Sequence, residues 1–367
     1  MISGDFIKET FSELVSIDSP SLNERAMKDH MKAMFLKLGI ELEEDASASI
    51  TGSNAGNLYG YVKGNGQPPI LLSAHMDTVM PGLGKKAVFH KDGKITSDGT
   101  TVLGADDVSG ITAIYAALCN LHSNSMEHRD IELLFTTGEE LYCKGAKAFD
   151  YKRVKSKSTV VLDLSGEIGD AAYAAPTIFS IEAKIQGKSA HAGFCPEEGI
   201  HAIKACCEAV AHLPQGHIDE VTTANIGLIA GGDGINIVPK ECVVKGEVRS
   251  LCHERAQAVA EQWKQIFVEN VQKCGARLQW KQQMDIQAYE TSQNSRIIRD
   301  YEKACKRINI TPHFVKSFGG SDNNVFAQNG IEGIVIATSM NNVHGCEEYA
   351  DVAEISKVSE ILIGMLA

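Results

Sequence analysis

The sequence predicts an α/β fold in which helices flank a mostly parallel sheet and a smaller α+β domain is inserted into the larger one. At 367 residues the chain is too long for one small core, which favours two domains. Short apolar runs alternate with helical patterns from about residue 55 to 165, and such alternation is typical of a parallel sheet covered on both faces. Between residues 176 and 287 the order of elements changes, which indicates the inserted domain.

The first residues of the chain predict an amphipathic helix, because apolar side chains recur there at helical spacing, namely Phe6, Ile7, Phe11, Leu14 and Val15. This segment is acidic and lacks a long apolar run, so it does not have the pattern of a secretory signal. No stretch of the sequence is apolar for long enough to span a bilayer. The ten cysteines are dispersed without a CxxC pair, as in reduced proteins, and we expect a cytoplasmic protein without a membrane partner.

The first alternating stretch contains four predicted strands and a helix. The strands are the apolar runs in AGNLYGYV, PPILLSA, DIELLFTT and STVVLDL. A helix is predicted in DVSGITAIYAALCNLH, where Ile111, Ile114, Tyr115 and Leu118 form one apolar stripe. In sheets of this class ligands bind outside the carboxyl ends of the strands, so the polar residues that follow these runs are candidates for a functional site.

Residues 176–287 predict a βαββαβ unit of the ferredoxin-like kind, which can close on itself as a small domain. Its elements are the strand TIFSIEAKIQG, the helix EEGIHAIKACCEAVAHL, the strand pair TTANIGLIAGG and ECVVKGEVRS, the long helix HERAQAVAEQWKQIFVENVQKCG and the closing strand RLQWKQQMDIQ. After this unit, helices and strands alternate again up to a final helix in DVAEISKVSEILIGMLA. We therefore predict one discontinuous domain, residues 1–175 and 288–367, with 176–287 as an inserted lid joined by two short hinges.

The formal net charge of −12 at pH 7 argues against nucleic acid as a partner. A phosphate backbone is bound by a concentrated basic surface, and no cluster of Lys and Arg stands out along the sequence. The hydrophobic fraction of 44% and the charged fraction of 22% are those of an ordinary globular protein.

Acidic and imidazole residues follow several of the predicted strands, at the edge where ligands gather. They are His75 in LLSAHMDTV, Asp106 in LGADDVSG, Glu139 and Glu140 in LLFTTGEEL, Asp163 in VVLDLSG and His344 in NNVHGCEEYAD. Histidine nitrogens and carboxylate oxygens suit two divalent cations that share one carboxylate. The sequence therefore predicts a hydrolytic site with two metals.

Two of these motifs allow a closer interpretation. Asp77, two residues after His75, would lie on the same side of a strand end and accept a hydrogen bond from the imidazole. In the pair Asp106–Asp107, the second residue is interpreted as the N-cap of the following helix. The first residue is interpreted as a carboxylate that bridges the two cations.

The pair Glu139–Glu140 closes an apolar strand. Two adjacent carboxylates in such a place are costly without a cation, because burial and mutual repulsion both oppose their ionisation. We therefore expect one of them to bind a metal and the other to accept the proton of a water held between the metals.

With these residues in order, the chain resembles the two-zinc metallopeptidase family that includes peptidase T, bacterial glutamate carboxypeptidase and the aminoacylases. The resemblance extends over essentially the whole chain. It rests on SAHMDTV, LGADD, TTGEE, VLDLSGEIG, GKSAHAG, GGDGINIVP, GEVRS, GGSDNN and VHGCEEYADV. The combination of LDLSGEIG with AAPT, and EEYADV after the last histidine, are most similar to the peptidase T-like branch.

The resemblance implies a role for each candidate residue. One metal would be held by His75 and Asp163, the other by Glu140 and His344, with Asp106 bridging, Glu139 as general base and Asp77 orienting His75. Relatives also hold the peptide after the bridging aspartate in cis, here Asp106–Asp107. Residues 176–287 would be the lid, through which we expect a homodimer. The substrate contacts implied by the resemblance are Asn236, Arg249, Gly320, Ser321 and His191. The residue at the position of His191 stabilises the developing oxyanion in some dimeric members of the family, sometimes from the partner subunit.

Two departures from the family pattern concern the surroundings of the metals. Val108 stands where relatives commonly carry Lys, and the glycine that usually follows the glutamate pair closely is delayed to Gly145. All the ligand types are present, so the sequence predicts an active enzyme.

We predict an aminopeptidase that acts on short peptides, most specifically on tripeptides, with two zinc ions or with cobalt or manganese in their place. An N-acyl amino acid amidohydrolase or a dipeptidase is the alternative among hydrolases, since the same centre serves any amide. A catalytically silent binding or assembly protein on the same fold is the alternative outside enzymes.

Overall fold

A computed structural model describes residues 2–367, which divide into two compact units. The first unit contains the described residues up to Ala174 together with Glu290–Ser317 and Ser321–Ala367. The second unit contains Ala175–Tyr289 and the short segment Phe318–Gly320.

The strands are, in chain order, β1 (Leu42–Glu44), β2 (Leu58–Val62), β3 (Ile70–His75), β4 (Val88–Phe89), β5 (Lys94–Thr96), β6 (Ile131–Thr136), β7 (Ser158–Ser165), β8 (Asp170–Ala175), β9 (Thr177–Gln186), β10 (Gly216–Asp219), β11 (Thr222–Gly231), β12 (Glu241–Ser250), β13 (Arg277–Ile286), β14 (Tyr289–Glu290), β15 (His313–Lys316), β16 (Glu332–Met340) and β17 (Tyr349–Asp351).

The helices are, in chain order, α1 (Gly4–Val15), α2 (Arg25–Leu36), α3 (Ala48–Thr51), α4 (Ala105–Ser123), α5 (Lys144–Ala148), α6 (Ala202–Ala211), α7 (His253–Lys273), α8 (Arg296–Arg307), α9 (Asp322–Gln328) and α10 (Val352–Leu366). Short 3-10 turns at Glu139–Leu141, Tyr151–Arg153 and Pro196–Glu198 complete the elements.

The first unit is built on a sheet whose centre is parallel. Its strand order is β1-β2-β6-β3-β7-β16-β8-β14, with β15 paired to β8. Strands β6, β3, β7 and β16 run parallel to one another, whereas β2 pairs antiparallel with β6 and β1 pairs antiparallel with β2 at one side. Every residue of β3 and β6 is buried, which explains why both read as unbroken apolar runs. This arrangement confirms the predicted fold class.

Helices α1, α4, α8 and α10 of the first unit pack against one another and share one core with the sheet. Phe11, Phe35, Phe135 and Tyr301 are among its largest fully buried side chains. The register of β3 and β6 pairs His75 with Thr136, so both strands end at the same edge of the sheet. Side chains that follow the two strands are therefore brought together there.

The second unit is a five-stranded antiparallel sheet with the order β10-β11-β12-β9-β13. Helices α6 and α7 pack on it around a core that includes Trp263, Phe267 and Ile185. The predicted βαββαβ order gains one short edge strand, β10, which pairs only with the start of β11. The pattern missed this strand because GHID contains a single strongly apolar residue. Within residues 2–367, none of the helices is long and apolar enough to cross a membrane.

Candidate metal centre

The predicted ligands lie together at the carboxyl edge of the parallel strands. They form two groups, in each of which the potential ligand atoms lie within 4.8 Å of one another: His75, Asp106 and Asp163 in one, and Asp106, Glu140 and His344 in the other. Asp106 belongs to both groups, as a bridging ligand would. The strand ends explain the arrangement, because His75 ends β3 and Asp163 lies near the end of β7.

The two carboxylate oxygens of Asp106 face different histidines. Its Oδ1 lies 2.8 Å from Nε2 of His75, and its Oδ2 lies 3.3 Å from Nε2 of His344. Nε2 of His75 is also 4.0 Å from Oδ1 of Asp163, and Nε2 of His344 is 3.1 Å from Oε1 of Glu140. Each imidazole nitrogen thus points at a pair of carboxylates, the geometry that a cation between them would use.

Asp77 supports both a histidine and the glutamate pair. The Nδ1 of His75 lies 2.9 Å from the backbone oxygen of Asp77 and 3.5 Å from its Oδ1. The Asp77 carboxylate accepts hydrogen bonds from Ser21 Oγ at 2.7 Å and from the backbone N–H groups of Glu139 and Glu140 at 3.0 and 3.3 Å. The carbonyl rather than the carboxylate is therefore the nearest partner of the imidazole, and the carboxylate fixes the turn that presents the two glutamates.

The Asp106–Asp107 pair leads into α4. The peptide bond between the two residues is cis, as the resemblance implied, and both residues have non-helical backbone angles. Oδ1 of Asp107 accepts from Gly110 N at 3.1 Å, the contact expected of an N-cap side chain, although α4 already begins at Ala105 after Gly104. Its Oδ2 accepts from His75 N at 3.2 Å and so ties the start of α4 to the end of β3.

Glu139 has different neighbours from Glu140. Potential ligand atoms of Glu139, Cys143 and Asp322 lie within 4.8 Å of one another, and the Cys143 thiol donates to Oε1 of Glu139 at 3.5 Å. Asp322 is 1% exposed and accepts a hydrogen bond from the Thr136 hydroxyl. Burial raises the pKa of Asp322 to about 6.

Two further buried glutamates hold the loops of the site, and the sequence did not point to them. Glu24 is fully buried and accepts from Gly138 N at 2.9 Å, next to the glutamate pair. Glu348 is 1% exposed and accepts from Gly104 N at 2.7 Å and from Asp106 N at 3.0 Å. The motif GGSDNN contains Asp322, and the motif EEYADV contains Glu348. For these two residues, their place in the family pattern was the only signal in the sequence.

Added positive charge would stabilise the ionised carboxylates of this cluster. Burial raises the pKa of the Glu139 and Asp163 carboxyl groups well above the ordinary range, and nearby carboxylates add to the effect. Burial alone would also raise the pKa of Asp106. Hydrogen bonds from His344 and His75 outweigh this effect and hold the pKa of Asp106 below its ordinary value. Contact with Asp106 and a second carboxylate raises the pKa of His344 to about 10. The donor set, oxygen and imidazole nitrogen around shared carboxylates, therefore fits two divalent cations.

Most of the residues predicted to contact substrate belong to the second unit. Nδ1 of His191 accepts from the backbone N–H groups of Gly193 and Phe194 at 3.1 and 3.2 Å, and its ring stacks on that of Phe194. The backbone oxygen of Asn236 accepts from Ala192 N at 3.0 Å.

Arg249 is already engaged within its own unit. Its Nε and Nη2 donate to the two oxygens of Glu247 at 2.7 and 2.9 Å, and Nη1 donates to the Phe318 carbonyl at 3.1 Å. Gly320 follows in the short segment of the same unit, whereas Ser321, in the first unit, is the N-cap of α9. Contact of these residues with substrate stays a prediction.

Comparison with known proteins identifies relatives over the whole chain. A family model described as peptidase dimerisation domain matches residues 173–273, and one described as peptidase family M28 matches residues 57–204. The chain is 36% identical over 367 residues to the uncharacterized protein YqjE of Bacillus subtilis, with 100% of this chain and 99% of the relative covered. It is 27% identical over 401 residues to a peptidase T of Clostridium perfringens, with 98% of each covered.

Solved structures also match this chain over essentially its whole length. Aminopeptidase PepT from Bacillus cereus is 35% identical with a TM-score of 0.91, and a tripeptidase from Staphylococcus aureus is 30% identical with a TM-score of 0.96. Each comparison covers 100% of this chain and 98% of the other. A dinuclear metal-binding peptidase of the M20 family from Bacillus subtilis, 15% identical with a TM-score of 0.74, shares the fold.

Proposed function

The chain belongs to the M20 metallopeptidase family, in its peptidase T-like branch. We propose that it is an aminopeptidase that removes the first residue from tripeptides. One observation carries the hydrolytic part of this proposal: Asp106 is shared by two groups of candidate ligands, and the half-buried Glu139 directly precedes Glu140 of the second group. The names of the relatives, a peptidase T and a tripeptidase, support the choice of tripeptides.

Two divalent cations would be held by His75 and Asp163 on one side and by Glu140 and His344 on the other, with Asp106 shared. When bound, they would supply Lewis acidity to the scissile carbonyl and lower the pKa of the attacking water. Zinc is the proposed metal because mixed imidazole and carboxylate ligands suit it, and cobalt or manganese would be accepted by the same donors.

Glu139 is the proposed general base. It accepts the proton of the attacking water and delivers that proton to the leaving amine. Its backbone N–H is held by the Asp77 carboxylate at 3.0 Å, and its Oε1 receives the Cys143 thiol at 3.5 Å. Because Glu140 faces His344, the two adjacent glutamates are directed to different tasks.

The second unit is proposed as the lid and dimerisation domain, since a dimerisation-domain model matches residues 173–273. His191, Asn236 and Arg249 of that unit stay the candidates for substrate contact. For Arg249 this role requires that a substrate carboxylate share or displace Glu247, which now occupies the Nε and Nη2 edge of the guanidinium.

The proposal is tested with purified protein loaded with zinc or cobalt and assayed against di-, tri- and tetrapeptides and against N-acetylated amino acids. We expect the highest kcat/KM for tripeptides with a free amino terminus, loss of activity after chelation, and recovery when metal is returned. Preference for acetylated amino acids would establish the amidohydrolase instead, and preference for dipeptides the dipeptidase. Metal binding without hydrolysis of any of these amides would favour the silent binding protein.

A further inference from the structure

A basic face runs along helix α8 on the first unit. Arg296, Asp300, Lys303 and Arg307 are spaced by four, three and four residues, which places them on one side of the helix. Three of the four side chains are cationic. In a chain with a net charge of −12, this concentration of positive charge runs against the overall composition.

A buried arginine from another segment joins this face. Arg129, two residues before β6, is 5% exposed. Its Nε and Nη2 donate to the Pro68 carbonyl at 2.9 and 2.6 Å, and its Nη1 lies 3.4 Å from Oδ2 of Asp300. Nε of Arg296 lies 3.2 Å from the same oxygen, so a single carboxylate oxygen serves two guanidinium groups.

The four cations line a cavity of about 160 Å³. Its other lining residues are Gln67, Asp300 and residues 364–367 at the end of the sequence. Asp300 is the one acidic side chain among the lining residues. Lys303 has no carboxylate within 4.0 Å in the part of the chain that the structure describes, and the hydrogen bond of Arg307 goes to the Gly364 carbonyl. Burial, and then the charge of Arg296, lower the pKa of Arg129, and the neighbouring Asp300 opposes this effect.

We propose that this cavity binds a small phosphate-bearing anion. Arginine presents a planar fork that matches phosphate oxygens, and lysine adds a mobile point charge, so the donor types fit that ligand. The buried Arg129 provides a fixed guanidinium among the lining residues, held in place by the Pro68 carbonyl and Asp300. The volume accommodates a phosphate group and a short ester but not an extended peptide.

The site is separate from the metal centre and does not rest on the proposed function. Pro68 and Arg129 precede the parallel strands β3 and β6, whereas His75 and the glutamate pair follow their carboxyl ends. Each strand has six residues, so the two edges of the sheet lie about 20 Å apart.

Lys303 provides the sharpest test, because its replacement removes a charge without breaking an ion pair. Thermal melting and calorimetry of the metal-loaded protein would be followed with inorganic phosphate and with glycerol phosphate, at an ionic strength kept constant with sodium chloride. We expect a saturable rise in melting temperature, a dissociation constant raised about tenfold by Lys303→Gln, and no measurable binding in the Arg296→Gln/Lys303→Gln variant. Lys306→Gln, on the same helix but outside the cavity, controls for the loss of one positive charge and should change the dissociation constant less than twofold, although it also removes an exposed ion pair with Glu302.

Tighter binding of glycerol phosphate would identify a phosphate ester as the ligand class, and tighter binding of inorganic phosphate the free ion. Either result supports the site only if binding also weakens in the Lys303→Gln variant. The proposal would be overturned if phosphate raised the melting temperature no more than sodium chloride does at the same ionic strength. So would a phosphate shift that persists in the double variant, because the anion would then bind elsewhere, for example at the metal centre.

Discussion

Glu139 and Glu140 are adjacent and chemically identical, so only their surroundings can give them different tasks. Oε1 of Glu140 lies 3.1 Å from Nε2 of His344, inside one of the two groups of metal ligands. Glu139 belongs to neither of those groups and contacts the Cys143 thiol. Substitution of each glutamate in turn should therefore separate metal binding from proton transfer.

We expect Glu139→Gln to retain near-normal metal content and to lose about 10²–10⁴ in turnover, because the amide keeps the shape but removes the basic oxygen. Glu140→Gln should instead weaken one metal site, and added zinc or cobalt should partly restore its activity. Metal content per chain and kcat, measured on both variants, check the assignment. Full turnover in Glu139→Gln, or metal loss in that variant alone, would show that the roles are wrongly assigned.

The candidate metal ligands could be predicted from the sequence, but several residues that hold them in place could not. His75, Asp106 and Asp163 follow apolar strands, and that local pattern is visible without a structure. Glu24 and Glu348 act through hydrogen bonds to residues 114 and 242 positions away, respectively, and nothing in their own neighbourhoods indicates such contacts. A lone buried acid becomes recognisable only when the fold brings its donors to it.

The turn after the glutamate pair shows how an element departs from the family pattern. Tyr142 and Cys143 both have left-handed backbone angles, with φ of 63° and 57°, a region that glycine adopts more easily. Gly145 is required for another reason, since a Cβ there would lie 2.3 Å from Oδ1 of Asn57 and 2.4 Å from the Thr137 carbonyl. The glycine at 145 thus serves close packing, while the left-handed turn is made by two residues with side chains.

Tyr142→Gly should stabilise this turn. Glycine relieves the contact between Cβ and backbone in the left-handed region, but its greater freedom in the unfolded chain offsets part of this gain. We therefore expect the free energy of unfolding to increase by about 0.5–1 kcal/mol. Leu141→Gly is the matched control, because Leu141 is similarly exposed and has no positive φ. The melting temperature should therefore rise in Tyr142→Gly and fall in Leu141→Gly. Equal losses in both variants would contradict the role of the backbone angle.

Elements with a strong apolar pattern were predictable from sequence, and elements defined by their partners were not. The four strands predicted in the first alternating stretch are present as β2, β3, β6 and β7, since full or partial burial imposes an apolar run on each. Strand β10 is four residues long and largely exposed, so neither length nor hydrophobicity marks it. Sheet order also depends on long-range pairing, and the antiparallel position of β8 beside β16 has no local signal.

At the scale of the whole molecule, the second unit leaves part of a strand edge open. Strand β10 pairs with β11 only at Thr222–Ala224, whereas β12 accompanies β11 along its full length. Among the described residues, the stretch from Gly227 to Gly231 therefore has a strand on one side only. Leu228 and Ile229 in this stretch are 50% and 51% exposed. An open apolar edge of this kind is a ready template for pairing with another chain.

We expect the protein to be a homodimer that pairs through this edge of β11. Light scattering should give twice the chain mass of 39.6 kDa for the unmodified protein. Ile229→Lys should shift the mass toward that of one chain, because a charge on an edge strand opposes pairing. Ile50→Lys is the control, since Ile50 is 72% exposed on the first unit and its replacement should leave the dimer intact. A mass of one chain at every concentration of the unmodified protein would contradict the dimer, and a stable Ile229→Lys dimer would move the interface to another face of the second unit.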